Sequence, residues 1–116
     1  MKRVSNISDA EFEVVRAIWE NGNEMNTSQL RKELQIRLDW NASTTKTLVR
    51  RLCQKGVLKV QKREVLYYTP LITQQEYNLY EVTKLINKLY DGDTTKLLDT
   101  LIDNRLISKQ DVNSLI

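Results

Sequence analysis

Four residues interrupt this chain of 116: Gly22, Gly56, Pro70 and Gly92 are all the glycine and proline it contains. With so few breakers, each span between them must be filled by one regular element or a pair. A chain poor in breakers and 41% hydrophobic is built for dense regular structure, not disorder. Its length suits one modest core, a single compact domain with an appended arm. No repeat or low-complexity stretch is present.

Before Gly22, Ser8 and Glu11 have the spacing of a capping box, which predicts a helix from there to Asn21. Phe12, Val14, Val15, Ile18 and Trp19 form its broad apolar face, and Gly22 supplies the left-handed residue that ends it. Asn26 or Thr27 caps a second helix through Leu38, with Leu30, Leu34 and Leu38 spaced by four. A third helix starts after Asn41 and ends before Gly56, because Thr45, Leu48, Val49 and Leu52 recur at helical spacing. At about 100° per residue the opposite side carries Ser43, Thr47, Arg50 and Gln54, flanked by Lys46 and Arg51.

After Gly56 the pattern changes to β-branched and aromatic residues. The runs 57–61 and 65–69, separated by Lys62, Arg63 and Glu64, predict a short β-hairpin closed by Pro70. Its turn lacks the Gly or Asn usually found at positive φ, so the register stays open. Thr73 and Glu76 repeat the capping-box spacing and open a fourth helix to about Tyr90, with Leu79, Val82, Ile86 and Leu89 on one side. Two short helices follow, near 94–103 and 109–116. Leu97, Leu98, Leu101, Ile102, Leu106, Ile107, Val112, Leu115 and Ile116 are more apolar residues than so short a tail can hide, and a second subunit is the simplest cover.

Charge is uneven along the chain. Residues 1–72 hold 13 Lys and Arg against 8 Asp and Glu, and residues 73–116 hold 5 against 7. Between Lys46 and Arg63 there are seven basic residues and no acid, where a polyanion would be drawn first.

With no histidine and one cysteine, the chain has no intramolecular disulfide, no Cys/His zinc site and no imidazole base. No nucleophile–base pair, phosphate-cradling glycine loop or spaced carboxylate cluster is visible, so neither catalysis nor a cofactor is expected. Cys53 reads as a small packing residue. No apolar run approaches the ~20 residues that span a bilayer, and Lys2-Arg3 leads into no signal core, so the expected location is the cytoplasm, away from any membrane.

Helix, helix, helix, hairpin is the order of a winged helix-turn-helix, in which the third helix enters the DNA major groove and the hairpin lies beside it. The expected fold is therefore mainly α with a small β-hairpin: a winged-helix DNA-binding domain over 1–72 and a helical dimerisation region over 73–116. A groove reader needs short polar side chains near the helix start and longer cations for guanine or phosphate. Ser43, Thr44, Lys46, Thr47, Arg50, Arg51 and Gln54 supply these on the helix, and Lys59, Lys62 and Arg63 on the wing. Leu79, Val82, Ile86, Leu89, Leu97, Leu98, Leu101, Ile102, Val112, Leu115 and Ile116 are the dimerisation candidates. The alternative is an interaction scaffold whose basic face docks an acidic protein.

The runs Ile7 to Val14, Ile18-Trp19, Asp39-Trp40, Ser43 to Leu48, Arg51-Leu52, Lys55-Gly56 and Tyr68 to Leu71 together resemble the penicillinase repressor family, which comprises the BlaI/MecI antibiotic-resistance repressors and the CopY copper-responsive repressors. The resemblance implies a dimeric winged-helix repressor on an inverted-repeat operator, often built on TACA and TGTA, with interlocking C-terminal helices. By position it assigns base reading to Ser43, Thr44, Lys46 and Thr47, and base or phosphate contacts to Arg50 and Arg51. Trp40 precedes the helix as the family tryptophan does. It also implies an upstream sensor or regulatory protease, which in the antibiotic-resistance members cuts an Asn-Phe bond where this chain reads Thr100-Leu101. The Cys-x-Cys motifs of the copper-responsive members have no counterpart here, so no metal is expected. The hairpin is also shorter than the family's and lacks its common glycine.

Overall fold

The computed structural model describes Val4 and residues 6–116. The elements are α1 (Asp9–Glu20), β1 (Met25–Asn26), α2 (Thr27–Leu38), α3 (Ala42–Gln54), β2 (Leu58–Lys62), β3 (Leu66–Pro70), α4 (Gln74–Tyr90), α5 (Thr94–Asp103) and α6 (Lys109–Ser114). No described helix is long and apolar enough to cross a membrane. Two compact units divide the chain within α4, Met1–Tyr77 and Asn78–Ile116.

Local chemistry sets the helix boundaries. The Glu11 amide donates to Ser8 Oγ at 3.1 Å and the Ser8 amide to Glu11 Oε1 at 2.8 Å, closing the capping box of α1. Asn26 is the residue that caps α2, exchanging bonds of 2.8 and 2.9 Å with Gln29. Asn41 caps α3 by accepting from the Thr44 amide at 2.8 Å. At the far end, Gly56 takes φ +74°, and the Val57 amide returns to the Leu52 carbonyl at 2.9 Å while the Gly56 amide meets Cys53 at 3.1 Å. That paired return satisfies the last carbonyls of the helix and turns the chain directly into β2.

The first unit packs α1, α2 and α3 around Val14, Val15, Ala17, Ile18, Leu30, Leu34, Leu48, Val49 and Leu52, closed by Val57, Leu58, Tyr68 and Ile72. An aromatic cluster covers one side: Phe12 stacks on Tyr77 with centroids 4.7 Å apart and meets Trp19 edge-on at 6.2 Å. The Trp19 indole N–H donates to the Ile72 carbonyl at 3.3 Å. This cluster carries the first unit past residue 72, as far as Tyr77.

The predicted hairpin is part of a three-stranded antiparallel sheet of order β1-β3-β2. Met25 faces Tyr68 and Asn26 faces Tyr67 in the added strand, whose two residues are too short to show any alternation in sequence. Between β2 and β3 the register runs from Leu58 opposite Pro70 to Lys62 opposite Leu66. Residues 63–65 make the connection, and none of them takes positive φ. Pro70 costs the ladder no bond: the Leu71 amide donates to the Val57 carbonyl at 2.8 Å, which makes the adjacent pair of Pro70 and Leu58 a non-hydrogen-bonded one.

In the second unit α4 continues into α5 through Asp91 and Gly92, and the Tyr90 hydroxyl donates to Thr100 Oγ1 at 2.9 Å. Asp93 caps α5, and Ser108 forms a capping box with Asp111 at the start of α6. No residue from 78 to 116 is buried.

Candidate nucleic-acid interface

Helix α3 places its two faces as its composition dictates. Thr45, Leu48, Val49 and Leu52 are buried, while Ser43, Thr44, Lys46, Arg50, Arg51 and Gln54 are exposed and Thr47 is half-buried. The Thr47 hydroxyl donates to the Ser43 carbonyl at 3.0 Å, so its proton is spent and its lone pairs face outward as acceptors. Thr45 Oγ1 is buried with no hydrogen-bond partner among the described residues.

The seven bases between Lys46 and Arg63 do not form one free set. Lys55 turns inward: its Nζ donates to Glu11 Oε1 and to the Asn6 carbonyl, both at 2.7 Å. Glu11 is only 1% exposed. Burial works to raise its pKa, but the hydrogen bonds from Lys55 and Ser8 outweigh that and hold the carboxyl below its ordinary value. The pair thus ties the end of α3 to the start of α1. Arg63 is also engaged, forking onto Glu24 with contacts of 3.0 and 2.8 Å. The remaining five, Lys46, Arg50, Arg51, Lys59 and Lys62, are exposed and form no ion pair among the described residues.

Between α3 and the hairpin runs an open groove of about 760 Å³. Ser43, Lys46 and Arg50 line it from α3, and Val60, Leu66 and Tyr68 from the sheet. Arg31 and Thr27 of α2 also line it, and sequence reasoning missed both. Their spacing of four on a helix with Leu30 and Leu34 inward puts them on one flank, but which flank meets α3 depends on packing. Cys53 lies on the same groove, half-buried, and burial pushes its thiol pKa up, so the thiolate is disfavoured. Trp40 is half-buried beside Ser28, Arg31 and Asn41 around another, smaller depression.

The second unit presents the opposite chemistry. Leu79 is 64% exposed, Leu89 55%, Leu115 81% and Ile116 99%, with Val82 also exposed. Ile86, Leu97, Leu98, Leu101, Ile102 and Val112 are only partly covered.

The model of the family described as "Penicillinase repressor" matches residues 7–116. The penicillinase repressor of Bacillus licheniformis is 33% identical over 116 residues, covering 99% of this chain and 90% of that one. The methicillin resistance regulatory protein MecI of Mammaliicoccus sciuri is 27% identical over 110 residues, covering 94% and 89%. Among solved structures, the Bacillus licheniformis BlaI monomeric form in complex with the blaP half-operator superposes with a TM-score of 0.58 at 40% identity, covering 66% of this chain and 94% of that one. A winged-helix DNA-binding protein from STIV, 13% identical with a TM-score of 0.51, shares the fold. Taken with the winged-helix architecture of the first unit, these matches show that the chain belongs to the penicillinase repressor family.

Proposed function

We propose that this protein is a transcriptional repressor that binds duplex DNA in the cytoplasm as a homodimer, with α3 in the major groove and the β2–β3 hairpin beside it. The observation that carries this reading is the exposed side of α3, where Lys46, Arg50 and Arg51 accompany the hydroxyls at its start, with Lys59 and Lys62 on the neighbouring hairpin and none of the five in an ion pair among the described residues. The half-operator complex of the BlaI relative supports the same use of this domain. Ser43, Thr44, Lys46 and Thr47 read base edges, Arg50, Arg51 and Gln54 extend the contact along the helix, and Lys59 and Lys62 neutralise phosphates.

The homodimer is supported by the second unit, which exposes Leu79, Leu89 and Leu115 and buries none of its residues. Twofold symmetry then demands an inverted repeat, of the TACA/TGTA kind the family resemblance implies, with half-sites one or more turns apart at about 34–36 Å per turn. Induction through a sensor and protease, as in the antibiotic-resistance members, must use a bond other than Asn-Phe, because Thr100-Leu101 stands there.

A gel-shift titration against the gene's own upstream region, with random duplex as competitor, tests the reading. With about four to six phosphates neutralised per dimer, log K falls against log salt with a slope near −4 to −5. A flat salt profile rejects DNA binding and leaves the basic face to an acidic protein partner.

A further inference from the structure

The hairpin of this fold should offer all its cations to the DNA backbone, and Arg63 stands at its tip, immediately after β2. Its guanidinium is nevertheless committed elsewhere. Nη1 donates to Glu24 Oε1 at 3.0 Å and Nη2 to Glu24 Oε2 at 2.8 Å, a two-pronged match of fork to carboxylate. Nη2 also reaches Gln61 Oε1 at 3.4 Å, and the guanidinium carbon lies 4.4 Å from the centroid of the Tyr67 ring. Glu24 is held in place in turn, because it directly precedes Met25, which pairs with Tyr68 in the same sheet. Lys59 and Lys62 have no such partner among the described residues.

We propose that Glu24 withholds Arg63 from duplex DNA, so that this acid in the α1–β1 loop limits how tightly the protein holds DNA of any sequence. The inference rests on the DNA-binding reading above. A single exposed ion pair would yield readily to phosphate. Here the carboxylate, the Gln61 oxygen and the Tyr67 ring face hold the guanidinium together, and the Glu24 charge repels a phosphate that approaches the donors left free. A cation on the hairpin adds sequence-blind affinity. Masking it lowers binding to every duplex alike and leaves discrimination to α3.

The test is the salt dependence of binding by the full-length chain to a random-sequence duplex, read by fluorescence anisotropy, for the wild type, Glu24→Gln, Glu64→Gln, Lys62→Ala, Arg63→Ala and the Glu24→Gln/Arg63→Ala double variant. Circular dichroism checks that each is folded. Glu24→Gln is expected to bind more tightly and to steepen the slope of log K against log salt by about 0.9 per protomer, one released cation. Glu64→Gln, which removes an acid with no ion pair among the described residues from the same hairpin, is expected to change the slope much less, and Glu24→Gln added to Arg63→Ala is expected to leave the slope of Arg63→Ala unchanged. The proposal is overturned if Glu24→Gln leaves the slope unchanged, or if its gain survives when Arg63 is alanine, since the effect then comes from bulk charge alone. A wild type with no salt-dependent binding, and no loss on Lys62→Ala, overturns the DNA-binding reading itself and this inference with it.

Discussion

Lys46 and Thr47 differ from Lys62 in what they can distinguish. The first two stand on the exposed side of α3 near its start, which the proposed docking turns to base edges, whereas Lys62 ends a strand of the hairpin, which it lays beside the DNA backbone. Thr47→Ala and Lys46→Ala are therefore expected to cost about 1–3 kcal/mol on the preferred operator and little on random duplex. Lys62→Ala is expected to weaken both alike, and parallel anisotropy titrations separate the two patterns. Lys55 has a different task despite lying in the same basic run. Lys55→Ala leaves the buried Glu11 carboxylate without its cation and is expected to destabilise the fold by about 3 kcal/mol, measured by urea denaturation at neutral pH. Because the folded-state pKa of Glu11 lies below its ordinary value of 4.5, its contribution is present above that pH and is lost as pH falls through the folded value. Stability measured from neutrality down to pH 3 should thus decline more steeply in the wild type than in Glu11→Gln.

At the scale of the element, α3 is defined by its two ends. Asn41→Ala removes the side-chain acceptor for the Thr44 amide and is expected to cost about 1 kcal/mol. It also loosens the turn that carries Ser43 and Thr44, so operator affinity should fall with stability. Gly56→Ala places a Cβ at φ +74° and is expected to cost about 1–2 kcal/mol, with loss of amide protection in β2 as the matching exchange measurement. Both ends are legible in the sequence, because a cap and a left-handed glycine act within a few residues of themselves. The hairpin is legible in outline, since its residues suit strands wherever they pack. Its third strand is not: Met25 and Asn26 carry no alternating pattern and become β1 only because β3 offers them an open edge. The turn was open in sequence for the complementary reason, and the strand pairing settles it with residues 63–65 and no positive φ.

At the scale of the whole molecule, the exposed leucines of the second unit predict self-association. Leu79→Asp combined with Leu89→Asp replaces surface that is already solvated in the single chain, so folding should persist while the dimer dissociation constant rises at least about 100-fold, the effect of burying two unpaired carboxylates. Sedimentation velocity on the full chain reads the change, and operator affinity should collapse with it while random-duplex binding per protomer survives. Capping boxes, the apolar stripe of α3 and the unbroken basic run are properties of neighbours along the chain, so the sequence by itself determined the helices, the hairpin and the cationic side of the first unit. Which cations remain free was decided only by tertiary structure. Lys55 and Arg63 meet their acids 44 and 39 residues away, and no local pattern announces a partner at that distance. Charge is written into the chain residue by residue, but its neutralisation depends on which surfaces the fold brings within hydrogen-bonding reach.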